Sequence, residues 1–403
     1  MKYVIVVGDG MSDYPIKELG DRTPLEYAKT PNLDFVARNG KCGMLRTLYK
    51  NFPLDSGVAN LSLLGYDPRK YYPGRGPLEA ANMNVNLSKN DIAMRCNLIT
   101  EENGVLKDYS AGHITNEEAE KLINFVNENL GRKEINFYPG VSYRHLLVLR
   151  NDYSVDLNCK PPHDIVGQEI QKNLIKPLSD DAESTALMLN KLTLKSVEIL
   201  EQHEINKKRI SEGKNPGNMI WPWGPGKFPR MPKFEAKYSV KGAMISAVNI
   251  LRGIARCVGM EVVDVPGITG YLDTNYKGKA DYAVKALEKN DLVFVHIEST
   301  DEAGHEGSIE HKIQAIQDVD LVVGRIMNAL EGKEFKIAVM SDHPTPIPVK
   351  THTADPVPFA IYTTNEKGDG VEKYSEREIE KKGAYGLREG YEFMELLVKN
   401  KGA

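Results

Sequence analysis

Three apolar runs of this chain each end on acidic residues. Tyr3 to Val7 runs into Gly8-Asp9, Leu292 to Ile297 into Glu298-Ser299-Thr300-Asp301, and Ile337 to Met340 into Ser341-Asp342-His343. Carboxylates delivered to one place by neighbouring strands repel one another, and a bound cation is their natural counter-charge. Histidines stand close by in sequence: His343 beside Asp342, His305 four residues after Asp301, and His352 in Thr351-His352-Thr353. On a helix the four-residue interval places Asp301 and His305 one turn apart on one face, within reach of a single ion. Mixed oxygen and nitrogen donors suit manganese, zinc, cobalt or magnesium better than a soft thiolate-type metal.

Ser56, in Leu54-Asp55-Ser56-Gly57-Val58-Ala59-Asn60-Leu61, is the candidate nucleophile. The apolar run after it reads as helical, so Ser56 falls at a helix N-terminus, where backbone amides and the helix dipole favour anions. A neighbouring cation would lower the hydroxyl pKa and activate the oxygen at neutral pH. Each residue alone has an ordinary structural explanation: an Asp at a strand end caps a turn, and a Ser before a helix caps it. Three strand-end acids with three histidines and a helix-start serine are together a catalytic pattern.

The elements that must position these groups follow from the same runs. The run to Val7 is β-branched and does not alternate with polar residues, as expected of a strand buried on both faces of a parallel sheet. Thr23-Pro24-Leu25-Glu26 and Pro31-Asn32-Leu33-Asp34 read as helix starts. Helical patterns around Ala280 to Leu287 and Ile316 to Leu330 precede the two later strands. Strands alternating with helices predict right-handed parallel crossovers, and open α/β sheets bind ligands at the carboxyl ends of their strands. From about Pro77 to Leu178 the elements are shorter and separated by Gly, Asn and Pro turns. The expected organisation is therefore an α/β core made of residues 1–76 and 179–403, with a smaller α+β domain, 77–178, inserted into it. Asp181 to Gly213 reads as one long helix stopped by Asn215-Pro216-Gly217.

Composition narrows the function classes. The 403 residues carry 27% charged side chains and a formal charge of -4, so no global basic field favours nucleic acid or an anionic membrane. Cys42, Cys96, Cys159 and Cys257 lack the paired spacing of thiolate metal sites or disulfide scaffolds. The first apolar run is too short for a signal-peptide core or a membrane span, and a cytoplasmic location is expected. Assembly into a homo-oligomer is compatible with the sequence.

The chain resembles the archaeal-type cofactor-independent phosphoglycerate mutase family, a branch of the alkaline phosphatase superfamily. The resemblance runs through Gly8-Asp9-Gly10, Thr23-Pro24-Leu25-Glu26-Tyr27-Ala28, the segment Val58 to Pro68 with its Leu64-Gly65-Tyr66-Asp67-Pro68, Gly74-Arg75-Gly76, Asp301-Glu302-Ala303-Gly304-His305 and Asp342-His343-Pro344-Thr345-Pro346. It implies an alkaline-phosphatase-like core and a phosphoserine mechanism on Ser56, with no bisphosphoglycerate or other organic cofactor. It also implies two divalent metal ions, one held by Asp9, Ser56, Asp342 and His343 and the other by Asp301, His305 and His352. The implied substrate is a small phosphorylated molecule, phosphoglycerate, gripped by an inserted domain that covers the site. His113, Arg144 and His145 in that domain, and Lys241 at an expected helix start, are the candidate substrate-binding residues. Tyr143 to Val148, Pro161-Pro162-His163-Asp164 and Ile220 to Gly226 resemble a branch of the same family proposed to phosphorylate homoserine. A homoserine phosphotransferase or phosphatase on the same scaffold is thus the alternative reading, and a metal-stabilised binding protein without catalysis ranks last.

Overall fold

The computed structural model describes residues 1–151, 153–227 and 231–399. The chain forms two compact units, Met1–Tyr72 with Met231–Ala403, and Pro73–Arg230.

The first unit is built on an eight-stranded, mostly parallel sheet. Its spatial order is Glu261–Val262, Gly242–Ile245, Leu292–Ile297, Lys2–Gly8, Phe335–Ser341, Val357–Thr363, Lys41–Arg46 and Leu387–Glu389. Val357–Thr363 runs antiparallel to both of its neighbours. The central strand carries Val4, Ile5, Val6 and Val7, all fully buried, which is why its apolar residues do not alternate with polar ones. Helices Pro31–Asn39, Tyr276–Ala286 and Ile309–Ala329 cover one face, packing Leu33, Val36, Ala280, Ala283, Val319 and Val323 against strand residues such as Val4, Val295 and Val339. The expected helix start at Thr23 is a capping box: the Thr23 hydroxyl accepts from the Glu26 N–H while the Glu26 carboxylate accepts from the Thr23 N–H.

Register decides what the sheet delivers. Gly8 pairs with Ile297 on one side and Ser341 on the other. The residues that follow, Asp9, Glu298 and Asp342, therefore leave the sheet at the same level, at the carboxyl ends of three adjacent parallel strands.

The second unit is larger than the sequence pattern suggested, because 73–76 and 179–230 belong to it rather than to the core. The reason is strand pairing: Met219–Lys227 is hydrogen-bonded antiparallel to Ile92–Glu102, completing a five-stranded antiparallel sheet with Val105–Asp108, Arg144–Leu149 and Ile135–Val141. The long helix expected over Asp181 to Gly213 is two helices, Glu183–Leu200 and Glu204–Ser211. The second has its own start signal, the His203 imidazole accepting from the Ile205 N–H. These helices and Asn116–Leu130 bury Leu122, Val126, Ala186 and Leu189 against the sheet. Among the described residues, no helix is long and apolar enough to cross a membrane.

Candidate active site

The strand ends bring together two groups of donors. In the first, Asp9, Asp342 and His343 are buried, and His343 Nε2 lies 3.2 Å from Asp9 Oδ1 and 3.8 Å from Asp342 Oδ2. Asp342 is held from three directions: Oδ1 accepts from the Gly10 N–H (3.0 Å) and its neighbour's N–H at His343 (2.9 Å), and Oδ2 accepts from Asn60 Nδ2 (2.6 Å). Ser56 joins this group, its Oγ 3.2 Å from His343 Nε2 and 3.4 Å from Asp9 Oδ1.

The second group is Asp301, His305 and His352. The helix Ser299–Glu306 carries Asp301 and His305 one turn apart, with His305 Nε2 3.2 Å from Asp301 Oδ2. His352 arrives from a loop and places Nε2 3.4 Å from Asp301 Oδ1 and 3.0 Å from His305 Nε2. Both rings are oriented by backbone carbonyls: His305 Nδ1 faces Lys350 O at 3.0 Å and His352 Nδ1 faces Leu54 O at 2.6 Å. An Nδ1–H that donates to a carbonyl leaves Nε2 as the free donor atom, the arrangement found behind metal-bound imidazoles. Two such nitrogens and a carboxylate converging on one point need a positive charge between them. The first group has the same need, since two buried carboxylates share it. The donor sets fit divalent cations.

Electrostatics follow the geometry. Burial and the neighbouring charges of Asp342 and Asp301 raise the pKa of Asp9 well above the usual carboxylate range. Asp301 goes the other way: burial pushes it up, but hydrogen bonds with His305 and His352 outweigh that and hold it well below. The same contact raises His305, and Asp301 raises His352 against the opposing effect of burial.

Local sequence explains how Ser56 is set. Helix Ser56–Leu63 begins at Ser56 because Asp55 is its N-cap, accepting from the Val58 N–H at 2.9 Å. At Gly57, the next residue, an added Cβ would lie 2.7 Å from Ile250 Cδ1, and the end of that side chain would have to move. Gly10 is more tightly constrained, with φ +58° and a would-be Cβ 2.5 Å from Asp301 Oδ1. At Gly10 the backbone thus passes beside Thr345 and Asp301 where a Cβ does not fit.

The remaining candidates fall elsewhere. Lys241 is exposed and precedes a strand, Gly242–Ile245, not a helix. It sits beside Asp291 at the amino end of the parallel sheet, its N–H donating to Asp291 Oδ2. The length of the adjacent strand, roughly 20 Å at 3.3 Å per residue, separates it from the acidic cluster, so the structure does not bring Lys241 to the site.

His113, Arg144 and His145 lie in the second unit. Arg144 is exposed, its guanidinium 5.2 Å from the centre of the Tyr143 ring, and the His113 ring meets the other edge-on at 6.3 Å. His145 is buried, with Nδ1 accepting from the Gly140 N–H, and burial next to Arg95 pushes its pKa down to about 3. The expected substrate-binding histidine is thus an interior group, enclosed in the second unit. Two further cations were not foreseen. Arg75 and Arg95 share the single carboxylate of Glu79 at 3.6 and 3.3 Å, and both lie over Trp223. Burial and the charge of Arg75 lower Arg95 to about 10. An arginine inside the mostly apolar Ile92–Ile99 run was the available signal.

Several supporting groups also escaped the sequence pattern. Thr345 Oγ1 donates to Asp301 Oδ1, and Thr300 Oγ1 donates to the Asp9 carbonyl. Fully buried Lys312 donates from Nζ to Gly10 O (2.6 Å) and Thr345 O (3.2 Å). A lone lysine on the apolar side of a helical pattern is the trace Lys312 leaves in the sequence.

This fold and donor set define a class: α/β enzymes that use divalent metal ions at the strand ends of a mostly parallel sheet. Comparison with known proteins narrows it. A family profile described as 2,3-bisphosphoglycerate-independent phosphoglycerate mutase matches residues 37–206, and one described as type I phosphodiesterase / nucleotide pyrophosphatase matches 198–384. The chain is 51% identical over 403 residues to the 2,3-bisphosphoglycerate-independent phosphoglycerate mutase of Methanosarcina acetivorans, covering 99% of this chain and 100% of the other. Among solved structures, a Pyrococcus horikoshii protein superposes with a TM-score of 0.84 at 32% identity, covering 100% and 98% of the two chains. The cofactor-independent phosphoglycerate mutase of Thermoplasma acidophilum superposes at 0.71 and 31%, covering 100% of both. The chain belongs to the 2,3-bisphosphoglycerate-independent phosphoglycerate mutase family.

Proposed function

We propose that the protein interconverts 2- and 3-phosphoglycerate through a phosphoserine formed on Ser56. The observation that carries this reading is the place of Ser56 Oγ: at the first position of a helix, 3.2 Å from His343 Nε2 and 3.4 Å from Asp9 Oδ1. The full-length similarity to named mutases supports the substrate. Asp9, Ser56, Asp342 and His343 hold one divalent cation in this proposal, and Asp301, His305 and His352 the other, with manganese, zinc, cobalt or magnesium as candidates. Cations bound there supply charge neutralisation for the phosphoryl group and a lowered pKa for the serine hydroxyl.

The residues of the chain do the rest. Ser56 Oγ forms a bond to phosphorus as the ester bond to one glycerate oxygen breaks, and the serine proton ends on that oxygen. Glycerate reorients, its other hydroxyl attacks the phosphoserine, and that hydroxyl's proton returns to Ser56, so the reaction is a net isomerisation. The helix N-terminus stabilises the anionic phosphoryl group throughout. Arg144 and His113 are proposed as substrate-binding groups, Arg144 through the planar fork that suits carboxylate and phosphate.

The test is conversion of 3-phosphoglycerate to 2-phosphoglycerate by metal-supplemented protein without bisphosphoglycerate, with homoserine plus a nucleoside triphosphate in parallel. Isomerisation is expected. Phosphohomoserine without isomerisation would retain Ser56 but replace the substrate. In the same assay Arg144→Ala should raise KM about tenfold or more while cation affinity stays unchanged.

A further inference from the structure

Behind the first donor group the core contains three ionisable side chains that the reaction as described does not use. His296 and Glu298 sit at the end of the Leu292–Ile297 strand and Lys279 on the helix Tyr276–Ala286; the His296 and Lys279 side chains are fully buried and that of Glu298 is 4% exposed. Lys279 Nζ donates to Glu298 Oε2 (2.6 Å) and to the His296 carbonyl (2.7 Å). Glu298 Oε1 accepts from the Ala247 N–H (2.8 Å) and the Ser246 hydroxyl (3.1 Å) and faces His296 Nδ1 at 3.2 Å. The other face of the imidazole points at the donor group: Nε2 lies 3.4 Å from Asp9 Oδ2 and 3.5 Å from Asp342 Oδ2, without an aligned hydrogen bond to either.

Burying three such groups is costly, and a strand flanked by apolar neighbours does not need them for its fold. Their arrangement is a chain, with Lys279 fixing Glu298, Glu298 fixing the ring of His296, and His296 facing the inner oxygens of both Asp9 and Asp342. Asn60, Gly10 and the His343 amide restrain Asp342, whereas Asp9 has His343, Ser56 and His296 beside its carboxylate.

We propose that Lys279, Glu298 and His296 are positioning residues that fix the orientation of Asp9 and Asp342 and thereby set the affinity and geometry of the cation held beside Ser56. The inference rests on the reading that Asp9 and Asp342 hold a cation. Outer groups that orient metal ligands typically contribute about ten- to hundredfold in metal affinity.

The experiment is titration of the full chain, freed of metal by chelation, with Co²⁺ and Mn²⁺, recording binding heats and the visible spectrum of bound cobalt. Thermal melts of the metal-free forms are run alongside. For His296→Ala and Glu298→Gln, affinity at one of the two sites should fall about ten- to hundredfold, with a changed cobalt spectrum for that site, while the site of Asp301, His305 and His352 keeps its constant. His296→Gln, which restores a donor toward the carboxylates, should recover part of the loss. If His296→Ala does not fold, Glu298→Gln carries the same expectation with the shape of the side chain retained. Two sites with unchanged constants and spectra in the variants would overturn the positioning role while leaving the cation reading intact. A native protein that binds no cation at Asp9 and Asp342 would overturn the reading beneath it.

Discussion

The two donor groups solve the same problem in opposite ways. Asp9, Asp342 and His343 emerge directly from adjacent strands, are buried, and have their orientations fixed by the core: by Asn60, by the Gly10 amide and by neighbouring side chains. Asp301, His305 and His352 come from one helix turn and a loop, the His305 side chain is 36% exposed, and both imidazoles are aimed by backbone carbonyls of other segments. One group is rigid because the sheet is rigid, and the other depends on the Lys350 to His352 loop lying where it does. The contrast is between donors fixed by the sheet beside Ser56 and donors whose aim depends on contacts from separate segments.

The largest effect separates chemistry from binding. Ser56→Ala should lower phosphoryl transfer by a factor of about 10³ or more, since removal of a nucleophile leaves only binding and electrostatic assistance. Both cation sites should remain, the second with an unchanged constant. Isomerisation at the native rate in that variant would end the phosphoserine mechanism.

A smaller effect concerns pH. In the metal-free protein His305 and His352 have raised pKa values, so the stability they add is complete below the unfolded value of about 6.5 and is lost as pH rises through the raised values. A cation must displace those protons, so affinity at this group should climb as pH rises toward the raised values, by up to about tenfold per unit for each proton released. Calorimetry in two buffers of different ionisation enthalpy counts the protons. A pH-independent constant there would show that the histidines do not bind the ion.

The smallest effect is on the metal-free fold, and it should differ in sign between the groups. The pKa of Asp9 is raised in the folded state, so its charge opposes folding at neutral pH. Asp9→Asn should raise Tm by about 2 to 4 °C per kcal/mol relieved. The pKa of Asp301 is lowered, so its charge supports the fold, and Asp301→Asn should lower Tm. Melting curves recorded with a chelator present would check both; shifts of the same sign would remove the distinction drawn here.

The sequence made the rigid group easier to read than the adaptable one. Strands that run without alternation into Asp9 and Asp342 announce both their burial and the level at which they end, and register does the rest. Ser56 was legible because Asp55 and the apolar run after it mark a helix start. Lys241 was misplaced because a glycine followed by apolar residues fits the start of a strand as well as that of a helix, and only pairing with Leu292–Ile297 decides. The extent of the second unit was hidden for a similar reason. Met219–Lys227 is rich in glycine and proline, looks like a connection, and is recognised as a strand only through its partner Ile92–Glu102. His296 left a faint trace, an ionisable residue inside an apolar run, whose meaning depends on groups distant in sequence.

The position of the Lys2–Gly8 strand at the centre of the sheet also has a cost in time. Tyr3 pairs with Leu292 and Lys2 with Phe335, so this strand is synthesised well before either of its two neighbours. At ordinary elongation rates that is a wait of roughly 15 to 65 s, during which a β-branched apolar segment has both edges open. The antiparallel sheet of the second unit, drawn from residues between Ile92 and Lys227, acquires all its strands within that interval. Synthesis therefore exposes an adhesive segment long before the pocket it will organise exists, and nascent-chain chaperones that hold apolar segments should influence the yield of active protein.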